Sequence, residues 1–250
     1  MTTSQNPGTA FQPVKVERLT PRTIATRAKL VAVAERLFAE RGVEGVSLNE
    51  INKLAGQRNS NACQYHFGNK EGLLQAILDK HVPGIAARRN ERLDQLEARG
   101  SMELRDVIRA FVYPVAEKLF DPNGGKEFIR VNAQLLVPHM LSQQHPGSSL
   151  IVPGLDRLTR SLRSALAAFQ LPEPVVTQRL LLAAMLLFHG LADHSRMLEA
   201  LAQQGPVVDT ELFVDNLEDS IVALLSAPLS GATRERLRVL QVSEQGGAPD

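Results

Sequence analysis

The chain has 250 residues, 44% of them hydrophobic but only 4% aromatic and none of them Trp, which is too long for one small domain and suits a small head with a larger body. Its one cysteine, Cys63, excludes an internal disulfide framework and a thiolate metal cluster, and points to a reducing, cytoplasmic setting. The net charge of +1 hides an asymmetry, because residues 15–81 carry eleven Lys and Arg against seven acids whereas 82–250 carry seventeen against twenty; the positive excess sits where a nucleic-acid partner would be met.

Ala and Leu dominate and β-branched runs are scarce, so the expected fold class is all-α. The opening MTTSQNPGTAFQP has neither the basic start nor the apolar core of a signal peptide. The longest apolar run, near Leu180 to Phe188, is shorter than the ~20 residues of a membrane span, and no membrane association is expected. Residues 1–21 are polar and without periodicity. They suggest a flexible arm whose Lys15 and Arg18, with Arg22 just beyond, reach phosphate or a minor groove, or a leader with no role.

The first helix is predicted over about 23–41, with Ile24, Leu30, Val31, Ala34, Leu37 and Phe38 as its buried stripe and Gly42 as its stop. Ser47 and Glu50 have capping-box spacing, so a second helix starts at about Leu48 and buries Leu48, Ile51, Leu54 and Ala55 before Gly56 turns the chain. A third helix over about 60–66 is rich in short polar groups that hydrogen-bond without filling a core, which is what a helix lying in a major groove needs. Asn69 reads as the cap of a fourth helix running to about Glu97, with Pro83 expected to kink it where head meets body.

The body is predicted as helices over about 103–120, 125–143, 152–169, 174–203 and 209–226, separated by Pro and Gly breakers. The last two carry apolar residues around much of their circumference. Either one side packs on the body while the other meets a second subunit, or both sides are core. Domain limits follow at 1–21 for the arm, 22–81 for the head, 82–227 for the body and 228–250 for a mostly disordered tail with at most a short helix over 232–242.

Residues 24–78 resemble the TetR family of transcriptional regulators. The resemblance rests on Leu30, Ala34, Leu37, Phe38 and Gly42, on Val46-Ser47, Ile51 and Leu54-Ala55-Gly56, and on Tyr65-His66-Phe67, Lys70-Glu71 and Leu73-Leu74. It implies a homodimeric helix-turn-helix protein that binds a palindromic double-stranded operator and is released from it by a small, apolar effector bound in the body. In this resemblance Lys70 matches a phosphate-clamping lysine, and Tyr65 and His66 match residues that contact the DNA backbone. The chain departs from the family by one extra residue within Gln57-Arg58-Asn59-Ser60-Asn61 and by Gln64 where an aromatic is usual.

For base edges the expected residues are Asn61, Ala62 and Gln64, since amides pair with adenine and Ala meets a thymine methyl; Arg58 suits guanine or phosphate. Ser47, Asn59 and Ser60 complete the expected DNA-contacting set. Tyr65 and Phe67 have packing inside the head as their alternative, which is preferred for Phe67.

In the body no HExxH, GxSxG or phosphate-binding glycine loop occurs, and His189 with Asp193 offers only two metal ligands. An enzyme is therefore not expected, nor a cofactor or metal. The effector pocket implied by the resemblance draws on Phe111, Tyr113, Phe128, Met140, Phe169, Met185 and Phe188 for walls, and on Asn132, Gln134, His139, His189 and Asp193 for polar anchors. The rival functions are a helical enzyme or carrier of an apolar metabolite, and a non-specific DNA-binding protein without an effector. Cys63 is expected to be a small packed side chain rather than a redox sensor.

Overall fold

The computed structural model describes residues 20–100, 102–142, 155–201 and 209–245, and over these the chain forms α-helices with no strand. Helix α1 (Pro21–Arg41) begins where the Thr20 hydroxyl accepts from the Thr23 N–H at 3.2 Å and Pro21, lacking an N–H, fills the first turn. It buries Leu30, Val31, Ala34, Leu37 and Phe38. Ile24, expected in that stripe, is instead 55% exposed, because the first turns of α1 project beyond the head's core.

Helices α2 (Leu48–Leu54) and α3 (Ala62–Phe67) pack on each other, and on α1 and α4 (Lys70–Arg99) respectively. The buried face of α2 is Ile51, Asn52 and Ala55, with Leu48 half-buried; Leu54, expected there, points outward. The capping box forms in one half only. Ser47 accepts from the Glu50 N–H, but the Glu50 carboxylate turns to Arg41 at 2.6 Å, and this hydrogen bond holds Glu50 below its ordinary range.

Helix α4 belongs to both parts of the molecule. Leu73, Leu74 and Ile77 pack in the head, and Ile85, Leu93 and Leu96 in the body. The helix continues unbroken through Pro83, whose missing N–H leaves the carbonyl of Asp79, also an exposed residue, without its helical donor. At ~1.5 Å per residue, it is a lever about 45 Å long.

The body follows as α5 (Leu104–Ala116), α6 (Gly125–Ser142), α7 (Leu155–Leu166), α8 (Glu173–Leu201) and α9 (Thr210–Ser226). The expected helices over 103–120 and 152–169 each end in a 3₁₀ turn, Glu117–Phe120 and Ala167–Phe169. Helix α5 is central, packed on α4, α7 and α9, while α6 lies against α1 and α8. Polar ties mark these seams. Arg105 and Arg109 reach the buried Glu218 of α9 at 2.7 and 3.1 Å, Arg130 of α6 holds Ser195 and Glu199 of α8, and Arg157 of α7 holds Asp94 and Glu97 of α4.

Helix α8 is long and apolar enough to cross a membrane, and 33% of its apolar window is buried. The run near Leu180–Phe188 understated this, because Arg179 and His189 interrupt an apolar stretch that continues beyond both. Its buried residues Ala183, Leu187, Leu191 and Ala192 meet α6 and α9. A last helix, α10 (Gly231–Gln245), is longer than the one expected over 232–242, and its residues up to 240 are mostly exposed.

His194 on α8 is 2% exposed and stacks on Phe213 of α9, centroids 4.0 Å apart, with Nε2 3.1 Å from Thr210 Oγ1. Burial holds its ring below the ordinary histidine range. The unfolded chain therefore takes up this proton first as pH falls. Stability is unaffected above about pH 6.5, declines below it, and levels off once the folded ring is also protonated. Urea midpoints followed from pH 7.5 to 5 are expected to fall less steeply in His194→Gln than in the parent chain; parallel slopes would contradict this account.

Candidate nucleic-acid interface

The turn between α2 and α3 is built around Asn52. Gly56, at φ +64°, ends α2, with its N–H donating to Lys53 O and that of Gln57 to Asn52 O. The longer segment that follows is closed by the Asn59 side chain, which accepts from the Asn61 N–H at 2.9 Å, and by the Ala62 N–H donating to Asn59 O. Asn61 stands at the N-cap of α3 but gives no side-chain cap. Asn52, 2% exposed, supplies one from the neighbouring helix: its Oδ1 accepts from the Cys63 N–H at 2.9 Å and its Nδ2 donates to Ser60 O. Sequence reasoning missed Asn52. The signal that would have found it is the spacing 48, 51, 52, 55, which marks one helical face with a polar residue in it.

Helix α3 starts at Ala62 rather than near 60, which fixes its rotation. Asn61, Gln64 and Tyr65 are exposed, Tyr65 at 77%, and form one outward face; Arg58, Asn59 and Ser60 are exposed on the preceding turn. Ala62 is only 5% exposed and packs in the head's core, so its expected contact with a base edge is withdrawn. Tyr65 does not take the packing alternative, whereas Phe67 is half-buried against the core. Cys63 is fully buried and burial pushes its thiol up to about 11, as a packed side chain requires.

The C-terminal end of α3 is tied to α1. Arg27 lies over the Phe67 ring, 4.4 Å from its centroid, and donates to His66 O. Burial and the Arg27 charge hold the half-buried His66 below the ordinary range, so near neutral pH its ring is an uncharged hydrogen-bonding group. Lys70, in the first turn of α4, donates to Val43 O at 3.0 Å and lies 3.8 Å from the Glu44 carboxylate, with its side chain 27% exposed. Its ammonium thus braces the α1–α2 loop beside the exposed Ser47.

In the body the expected pocket residues do not converge. Phe111 and Phe128 are core residues, and Phe128 packs on the His81 ring at 4.6 Å. Phe169 is 41% exposed in its 3₁₀ turn, His189 is exposed, and Asp193 is exposed and paired with Arg196 at 2.6 Å; none of the three lines an interior pocket. Gln134 donates to Phe38 O at 3.1 Å, tying body to head, and Asn132 donates to Phe128 O within its own helix. Met185 and Phe188 are half-buried on α8. Tyr113 donates to Asp215 at 2.6 Å across the seam of α5 and α9, and with Phe120 and Val214 lines an open cleft of about 300 Å³. The side chains of His139 and Met140, and Lys15 and Arg18 of the arm, lie outside the described residues. Among the described residues no three His, Cys, Asp or Glu side chains group to hold a metal ion.

Residues 30–77, the core of this interface, match the family model for bacterial regulatory proteins of the tetR family. Two proteins of Pseudomonas putida are similar over 89 residues, the Probable HTH-type transcriptional regulator ArpR at 38% identity and the HTH-type transcriptional regulator TtgR at 37%. In both cases the match spans 35% of this chain and 42% of the relative's length. The HTH-type transcriptional regulator AcrR of Shigella flexneri is 26% identical over 156 residues, 62% of this chain and 70% of that protein.

Proposed function

We propose that the chain, whose residues 30–77 match the tetR family model, is a dimeric, non-enzymatic TetR-type transcriptional regulator of the cytoplasm. It represses by binding a palindromic DNA operator and is released by a small effector held in the body. One observation carries the DNA-reading part: the face formed by Asn61, Gln64 and Tyr65 is polar and uncovered, while the opposite face of α3 is fixed by Asn52 and Arg27. A rigid helix that presents amide and phenol groups outward suits base edges and phosphates of a major groove.

Dimerisation is supported by α8 and α9. Leu182 and Leu212 are 49% and 66% exposed, and Leu181 and Met185 are half-buried, which leaves an apolar surface suited to a second copy. Two recognition helices of a dimer must lie about 34–36 Å apart, or a multiple of that, to enter successive grooves. Helix α4 is the element that relates this spacing to the body, since among the described residues it alone runs through both parts. An effector must favour the DNA-incompetent arrangement, and moving the population from 1:99 to 99:1 takes about 5.5 kcal/mol of differential binding.

Substitution on the exposed face tests this. Gln64→Ala is expected to leave folding stability within about 0.5 kcal/mol while reducing discrimination at one base pair by about 1–3 kcal/mol. Lys70→Ala is expected to weaken operator and random duplex alike. Binding isotherms of both variants on preferred and scrambled duplexes check the assignment; a Gln64→Ala loss of equal size on both duplexes would overturn it.

A further inference from the structure

Arg89 stands on α4 in line with Ile85, Leu93 and Leu96, on the side that meets α5. The residue is 4% exposed, and its Nε is enclosed with no hydrogen-bond partner. No carboxylate among the described residues pairs with its guanidinium. The next residue on α4, Asn90, likewise has its Oδ1 enclosed and unpartnered. The other buried arginine among the described residues, Arg130, is treated quite differently, with Ser195 at 2.8 Å and Glu199 at 2.6 Å.

Burial pushes Arg89 down to about 10, which still leaves it charged near neutral pH. A buried charge without a counter-ion is an arrangement that folded chains avoid, and an enclosed donor or acceptor without a partner is another. A guanidinium presents a planar fork that matches a carboxylate in two parallel hydrogen bonds. Ile85 and Leu93 share its face of α4, and Val107, Ile108 and Phe111 on α5, the helix packed against α4, are all buried. One unpaired cation in apolar surroundings suits a single negative charge on an apolar frame better than a doubly charged phosphate.

We propose that Arg89 and Asn90 form the polar end of a ligand site inside the body, and that its occupant is a small organic carboxylate with an apolar remainder. The carboxylate meets the Arg89 guanidinium, and a hydroxyl or N–H of the ligand donates to Asn90 Oδ1. The site deepens the effector-binding part of the function proposed above and rests on it.

The test uses the full chain with straight-chain carboxylates from hexanoate to dodecanoate, benzoate and salicylate, each beside its uncharged amide, in calorimetric titrations and thermal melts. At least one carboxylate is expected to bind about tenfold or more tightly than its amide. Arg89→Met should abolish that preference while unfolding at the same or a higher urea concentration than the parent chain. Arg89→Lys, which keeps the charge without the fork, should retain only part of the preference. Absence of carboxylate binding, a preference that survives Arg89→Met, or a lowered urea midpoint in Arg89→Met would overturn the site. A palindromic operator recovered from a protein that binds no carboxylate would remove this inference and leave the DNA-reading function standing; carboxylate binding through Arg89 without any operator would do the reverse.

Discussion

Glu35→Ala is expected to lower the stability of the chain by about 3–5 kcal/mol, the cost of breaking a buried ionic pair from one side. Glu35 lies on α1, in the head, and is 1% exposed; Oε2 accepts from Lys80 Nζ at 2.6 Å and Oε1 lies 2.6 Å from His81 Nε2. His81 is equally buried, with its ring on Phe128 of α6 and its Nδ1 3.9 Å from Asp121. Four segments therefore meet around the Glu35–His81 pair: α1, α4, the turn after α5, and α6. Truncation leaves His81 enclosed without its acceptor and removes a tie between head and body. Urea unfolding of the full chain measures the loss, and a change below about 1 kcal/mol would show that the cluster is not a structural junction. Gly124 belongs to the same junction. It sits at φ +83°, and a Cβ there would stand 2.1 Å from Glu35 Oε2, so Gly124→Ala should be destabilising by strain and clash together.

Asn52→Ala is expected to cost the head about 2–4 kcal/mol, since it leaves the enclosed Cys63 N–H without an acceptor, at about 1–3 kcal/mol, and removes the donor to the carbonyl of the exposed Ser60, at about 1 kcal/mol. The effect should be local as well as large. Hydrogen exchange at the Cys63 amide, protected in the parent chain through Asn52 Oδ1, should accelerate in the variant, and operator affinity should fall because α3 loses the cap that orients it. Unchanged exchange at that amide would contradict the role assigned to Asn52. Asn52→Asp should not rescue the head, because it keeps the acceptor for Cys63 and removes the donor to Ser60.

The helical breaks and the polarity of the third helix were legible in the sequence because Gly, Pro and capping residues act locally. Asn69, for instance, caps α4 by accepting from the Gly72 N–H, as its position predicts. Rotation of the short helices was not legible. In the six-residue α3, Ala62 and Gln64 stand about 200° apart at ~100° per residue, so the rotation that turns Gln64 outward puts Ala62 inside. Leu54 was assigned inward by its chemistry, while the position it was thought to fill belongs to Asn52, whose polar groups are both satisfied. The Glu35–His81 pair was invisible for another reason: the partners are 46 residues apart, and nothing local joins them. In the body, Phe169, His189 and Asp193 were chosen for residue type alone, and type does not report which side of a helix faces the interior.

Selection of bound sequences from a random duplex pool, with the purified full chain at near-physiological salt, tests the central claim most directly. A palindromic motif with half-sites spaced by about one helical turn, whose preference at one base pair of each half-site is lost in Gln64→Ala despite an unchanged fold, is the predicted result. Folded protein that enriches no motif, or a motif retained in full by Tyr65→Ala and Gln64→Ala together, would contradict the claim that this face of α3 reads DNA.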